Sequence, residues 1–240
     1  MNNIILLIET ATDSCSVALS NGNNVISEKY INEPKAHARV LAVYIDEILK
    51  ENNLTIKDCA AVAVSKGPGS YTGLRVGVSC AKGLCYGANI PLISVCTLGT
   101  IAQLAIDDNL ILGESAACNT PSEPYTIVPM IDARRMEVYT ANFTCGGEQL
   151  TPVSAKILDE HSYDELLENG KVLFTGNGAE KYKPLVEQNP NAVFAPAQLH
   201  AKGMRVIAAD KLAKGEFEDV AYFEPFYLKE FVAGKPKKLL

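Results

Sequence analysis

The sequence predicts an α/β fold of two units, each a mixed central sheet flanked by helices. Three observations carry this. Short apolar runs of strand length alternate with stretches of helical periodicity. An Asn21-Gly22 hairpin signal joins two of the opening runs. From Asp107 to Pro124, acidic, Asn, Gly and Pro residues interrupt the apolar pattern, which divides the chain into 1–106 and 107–240.

Ile4 to Ile8 is an apolar run suited to a strand covered on both faces. Cys15 to Leu19 and Val25 to Tyr30 complete a three-strand meander, whose first turn, Glu9 to Ser14, is rich in side-chain oxygens. Pro34 to Leu49 reads as an amphipathic helix with Val40, Leu41, Tyr44, Ile45, Ile48 and Leu49 on one stripe. A buried strand from Cys59 to Ser65 feeds the loop Lys66 to Thr72; a helix follows to about Tyr86, stopped by Gly87 and Pro91. Leu92 to Val95 is a strand, and Leu98 to Ala105 opens the next helix. Beyond the junction, Tyr125 to Ile131 and Glu137 to Thr144 are strands around a charged turn. A short helix covers Asp164 to Asn169, and the strand Val172 to Thr175 feeds Gly176-Asn177-Gly178. His200 to Lys214 is a helix with Met204, Ile207, Ala208 and Leu212 inward; the tail Gly234 to Lys238 is basic and frayed.

Composition narrows the function. With 48% apolar and 21% charged residues the chain can build a core, and its net charge of -6 supplies no global field for a polyanion. Broad, non-specific phosphate binding by this chain alone is thereby disfavoured. Cys15, Cys59, Cys80, Cys85, Cys96, Cys118 and Cys145 contain no C-x-x-C pair and are odd in number, so they read as reduced, buried thiols of a cytoplasmic protein. No basic leader precedes the first strand and no apolar run reaches membrane-spanning length, so no membrane association is expected.

The block Gly67-Pro68-Gly69-Ser70-Tyr71-Thr72-Gly73 is the most informative segment. It is neither a P-loop, lacking Lys-Ser or Lys-Thr after its last glycine, nor a dinucleotide fingerprint, being one residue too long. It makes a tight strand-to-helix turn in which Ser70 or Thr72 caps the helix, and the open N–H groups there suit an anion or a partner's carboxylate. In the helix behind it, Gly73, Gly77 and Ala81 stand four apart, and each interior glycine costs up to about 1 kcal/mol of propensity. Close approach of another backbone offsets that cost, either within the same unit or across a subunit interface sharing the 34–49 stripe. Glu9, Thr10 and Thr12 either orient a phosphate through a divalent ion or simply satisfy a turn. His37, His161 and His200 form no ligand pair, so no metal site is expected; His37, near the start of its helix, either lines the cleft or, the preferred reading, is a solvated surface residue. Asp132, Arg134, Arg135 and Glu137 make a charged turn that either pairs internally or docks a partner. No order or spacing reads as a catalytic triad or dyad.

Ile8-Glu9-Thr10 through Leu19, with Gly67 through Gly77, resembles the bacterial TsaB family, formerly YeaZ. The likeness extends to Pro91-Leu92, Asp132 to Arg135, Glu137 to Tyr139, Gly176-Asn177-Gly178 and Tyr227-Leu228-Lys229. It implies two actin-like, ribonuclease-H-like (ASKHA) domains and a non-catalytic scaffold or activating role in forming N6-threonylcarbamoyladenosine at position 37 of tRNA. The implied partners are a metal-bearing transferase paralogue, TsaD, an ATPase, TsaE, and a second copy of the chain when alone, with tRNA the substrate of the assembly. The implied pairing surface is Gly73, Arg75, Gly77, Cys80, Ala81 and Leu84, plus Val40, Leu41 and Tyr44. The resemblance implies no intrinsic cofactor, but admits ADP or ATP with magnesium at a partner interface near Glu9, Thr10, Thr12, Gly69 and Ser70. Where the paralogue carries a histidine pair on a helix, this chain reads Thr97 to Gln103 without histidine. Two positions depart from the family pattern: Glu9 replaces an aspartate and Lys229 an arginine. The competing reading is a small-molecule kinase or ATPase on the same fold, with a tight magnesium-nucleotide site of its own.

Overall fold

The computed structural model describes residues 3–108, 125–195 and 198–229. Cys118, most of the predicted junction and the basic tail lie outside the described residues. The first lobe runs β1 (Ile4–Glu9), β2 (Ser14–Asn21), β3 (Asn24–Asn32), α1 (His37–Glu51), β4 (Ala61–Gly67), α2 (Tyr71–Ala88), β5 (Leu92–Cys96) and α3 (Thr97–Asp107). Its sheet has the order β3-β2-β1-β4-β5. The meander is antiparallel, as a tight turn requires, whereas β4 and β5 run parallel to β1 after helical crossovers. β1 is apolar throughout because both its faces are covered. Leu6 and Ile8 meet the α1–α2 side, while Ile5 and Leu7 meet the opposite layer.

The second lobe comprises β6 (Thr126–Asp132), β7 (Glu137–Thr140), β8 (Phe143–Thr144), β9 (Ser154–Ile157), α4 (Asp164–Asn169), β10 (Val172–Thr175), α5 (Lys183–Val186) and β11 (Ala192–Ala195). Its sheet order is β11-β10-β6-β7-β9, with β8 beside β6. Helix α3 lies between the lobes: Leu98, Ile101 and Leu104 are buried with Ile127, Phe143 and Leu173 of the second sheet. Both sheets are therefore mixed and flanked by helices, as predicted.

The described residues of 107–240 do not sit in one lobe. A 3-10 turn, Ala201–Met204, leads into α6 (Arg205–Lys214), which returns to the first sheet. Ala201, Met204 and Ala208 are buried against Ile5, Leu7, Ala63 and Ile93. Gly203 permits this, since a Cβ there would crowd the Thr100 carbonyl and Leu104 of α3. Arg205 forks onto Asp107 and fixes the same junction from the solvent side.

From Phe217 to Lys229 the chain forms a strap outside helix and strand, crossing both lobes. The Glu218 N–H donates to Leu92 O at 2.9 Å, and Lys82 Nζ donates to the carbonyls of Ala221 and Phe223 at 3.2 and 2.9 Å. The Phe226 N–H donates to Lys66 O at 2.7 Å, and Tyr227 stacks on Tyr71 with ring centroids 4.6 Å apart. Lys229 then pairs with Glu137 of the second lobe.

Cys15, Cys59 and Cys85 are buried free thiols, and Cys80, Cys96 and Cys145 are half-buried. Burial pushes Cys15 and Cys85 up to about 12 and Cys59 to about 11, which keeps these thiols protonated and unreactive. Among the described residues, no helix is long and apolar enough to cross a membrane.

Candidate functional site

Helix α2 is placed by the loop before it. Ser70 caps the helix, its Oγ accepting from the Gly73 N–H at 3.3 Å. The Ser70 N–H donates to Ala11 O at 2.7 Å, so the loop is bonded to the turn that follows β1. Gly69, Gly73 and Gly77 form a trough that seats this turn. A Cβ on Gly69 would overlap the Ala11 carbonyl, one on Gly73 the Thr10 carbonyl, and one on Gly77 the Thr10 hydroxyl. The propensity that α2 surrenders is thus offset inside the lobe.

That geometry corrects part of the expected pairing surface. Gly73, Gly77 and Ala81 face inward and are buried within the first lobe, and Leu41 is a core residue at 3% exposure. They hold the helix rather than meet a partner. A bulky residue at Gly77 would displace Thr10 and act as a folding lesion.

The remaining predicted positions lie outward. Arg75 is exposed, while Val40, Tyr44, Cys80 and Leu84 are half-buried and pack at the rim of the α1–α2 core. Val43, 50% exposed, and the half-buried Val76 extend this face. Gly83 and Gly87 are exposed, with nothing within 4 Å of a Cβ at either. This second pair of small residues, also four apart, was missed by the sequence reading, although its spacing was visible there. Gly87 does not end the helix, which runs to Ala88 and closes on Asn89 in left-handed conformation. Tyr86, 85% exposed, stands beside the pair.

The proposed nucleotide-proximal residues do not converge on one opening. Glu9 and Thr10 are fully buried. The Glu9 carboxylate accepts from the Ala11 N–H at 2.7 Å and from the Ser65 hydroxyl, and burial pushes it up to about 7 against these hydrogen bonds. The Thr10 Oγ1 has no hydrogen-bond partner and lies over Gly77. Gly69 is closed against Ala11, and Ser70 is exposed at the helix cap. Of this set, only Thr12 lines the cleft between the lobes, a space of about 210 Å³ that it shares with Ser14, Tyr30, Ile101, Asn177 and Gln198. His37 is buried rather than solvated: its Nε2 lies 2.8 Å from Thr12 O and 3.0 Å from Ser14 O, which ties α1 to the same turn. Among the described residues, no group of three or more His, Cys, Asp or Glu side chains is placed to hold a metal ion.

The arrangement describes a helix pair with an open outer face, braced from behind by the strand-end turn. A family model described as TsaD, tRNA N6-adenosine threonylcarbamoyltransferase, matches residues 24–233. The chain is 32% identical over 242 residues to the tRNA threonylcarbamoyladenosine biosynthesis protein TsaB of Escherichia coli, covering 96% of each. It is 28% identical to the Haemophilus influenzae protein of the same name, covering 98% of each. In fold it resembles YeaZ from Pseudomonas aeruginosa, with a TM-score of 0.73 at 23% identity, covering 94% of this chain and all of that one. An uncharacterized Pseudomonas aeruginosa protein with similarity to peptidase YEAZ gives a TM-score of 0.76 at 24% identity, with coverages of 95% and 100%. The likeness to these relatives runs nearly end to end, and on that evidence the chain belongs to the TsaB family.

Proposed function

We propose that this chain is a non-catalytic partner subunit in the formation of N6-threonylcarbamoyladenosine at position 37 of tRNA. It pairs with the transferase TsaD and is joined by the ATPase TsaE; alone, it pairs with a second copy of itself. The full-length likeness to an Escherichia coli protein named for tRNA threonylcarbamoyladenosine biosynthesis carries the reading. The open α1–α2 face supports it, offering half-buried apolar residues around two unobstructed glycines.

Any ADP or ATP with magnesium is completed only at a partner interface. Glu9 and Thr10 are sealed beneath the turn, which leaves Thr12 and Ser70 as the members of that set within a ligand's reach.

Reconstitution of tRNA modification from purified components tests the proposal. Modification is expected to collapse when this chain is omitted and to return when it is added back; full activity without it would reject the role. Calorimetry with magnesium-ATP belongs to the same test. The chain alone is expected to give no heat, whereas micromolar binding without a partner would point to an ATP-using enzyme instead.

A further inference from the structure

The hairpin between β6 and β7 carries a feature that pairing does not use. Arg134 and Arg135 both take left-handed backbone, with φ of +70° and +50°. Asparagine and glycine relieve that conformation, and arginine does not. The turn is held by its own bonds: Ala133 N–H to Glu137 O at 3.0 Å, Glu137 N–H to Arg134 O at 3.2 Å, and Arg134 N–H to Asp132 Oδ1 at 2.5 Å. Asn177 accepts from the Asp132 N–H at 3.0 Å and anchors its base to the second lobe.

Charge is distributed unevenly across it. Both acids are engaged, Asp132 by Lys181 at 2.6 Å and Glu137 by Lys229. Arg134 and Arg135 are exposed, and neither has a carboxylate partner among the described residues. The turn itself is neutral, with two cations and two anions, but Lys181 and Lys229 reach in from elsewhere to engage its acids and leave its two guanidinium charges uncompensated by them. A strained backbone carrying two guanidinium groups that no carboxylate among the described residues pairs needs a reason outside the hairpin.

We propose that Arg134 and Arg135 form a phosphate-binding contact for the backbone of an RNA. The inference rests on the reading above, in which an RNA is the substrate of the assembly. Guanidinium is the matched partner, since its planar fork takes phosphate oxygens two at a time and its charge is permanent. A hairpin tip is also too small for a stable protein interface, which buries on the order of 1,000 Å² or more. Two phosphate contacts need only the two side chains. Because the rest of the chain is acidic, the contact is local and adds to grip supplied elsewhere in the assembly.

The test is fluorescence anisotropy of a labelled tRNA transcript titrated with the complete assembly across a salt series. Arg134→Ala with Arg135→Ala is expected to weaken binding about tenfold or more. It should also flatten the slope of log affinity against log salt by about 1.5, the share of two lost phosphates. Arg134→Asn with Arg135→Gly supplies residues that favour left-handed backbone, so its thermal midpoint should rise while RNA binding falls equally. Wild-type affinity and slope in both variants would overturn the proposal. So would loss of pairing with the partner proteins in the absence of RNA, seen by ultracentrifugation, because the turn would then belong to a protein contact. If this chain proves dispensable in reconstitution, the functional reading fails on that result, while the anisotropy comparison decides the arginines separately.

Discussion

Glu9 ends β1 with only neutral donors against it, the Ser65 hydroxyl and the Ala11 and Thr10 N–H groups. Desolvation outweighs all three and raises its carboxyl from 4.5 to about 7. A carboxyl raised on folding favours the folded state most below its unfolded value and loses that advantage as pH climbs through the folded one. The window is therefore about pH 4.5 to 7, and the full effect is roughly 3 kcal/mol. Glu9→Gln keeps an acceptor for Ala11 and does not titrate. In urea unfolding from pH 5 to pH 8, its stability relative to wild type should rise by up to that amount; a constant difference would reject the assignment. The place of Glu9 at a strand end was legible in the sequence. Its burial was not, because the enclosure comes from Ser65 on a strand paired across 56 residues and from the Gly69–Ala11 contact. His37 misled for the same reason: its partners, Thr12 O and Ser14 O, lie more than twenty residues upstream.

At the scale of elements, helix α2 presents two rows of small residues with opposite duties. The inner row, Gly73 and Gly77 in line with Gly69 of the preceding loop, accepts the turn after β1, whereas Gly83 and Gly87 meet nothing. Spacing alone marks both rows, and it cannot say which points inward; that depends on where Thr10 lies. Gly83→Arg is expected to leave the fold intact and abolish self-association in sedimentation velocity, whereas Gly83→Ala should stabilise α2 by up to about 1 kcal/mol. Unaltered assembly by the arginine variant would remove the α1–α2 face as the docking surface. Strands and helices themselves were largely readable, since apolar runs such as Ile4 to Ile8 and the 37–51 stripe follow the periods of their elements. Helix α1 starts later than expected because Lys35 turns left-handed after Pro34.

Across the whole molecule, the two sheets lie on either side of α3. The return of α6 to the first sheet was not foretold, because an amphipathic helix does not disclose which of two sheets it will cover. The strap likewise has no periodicity to read; carbonyls and lysines fix it one contact at a time. Its Tyr227 packs beside Tyr71 on α2 and against the edge of the core cluster that joins α3 to the second sheet. Tyr227→Ala should accelerate amide exchange at Phe226 and along 217–226 by tenfold or more, with exchange in β1 unchanged. Equal protection in the variant would show that the strap holds without its aromatic anchor.

Lys82 lies on the flank of α2 where the strap runs, and Phe223 fills in against the core beside it. That flank of α2 is already covered by the protein's own chain, whereas Val43 of α1 and Gly83, Tyr86 and Gly87 of α2 stay open to solvent. About a dozen residues that belong to neither helix thus decide which edge of the helix pair is left wet.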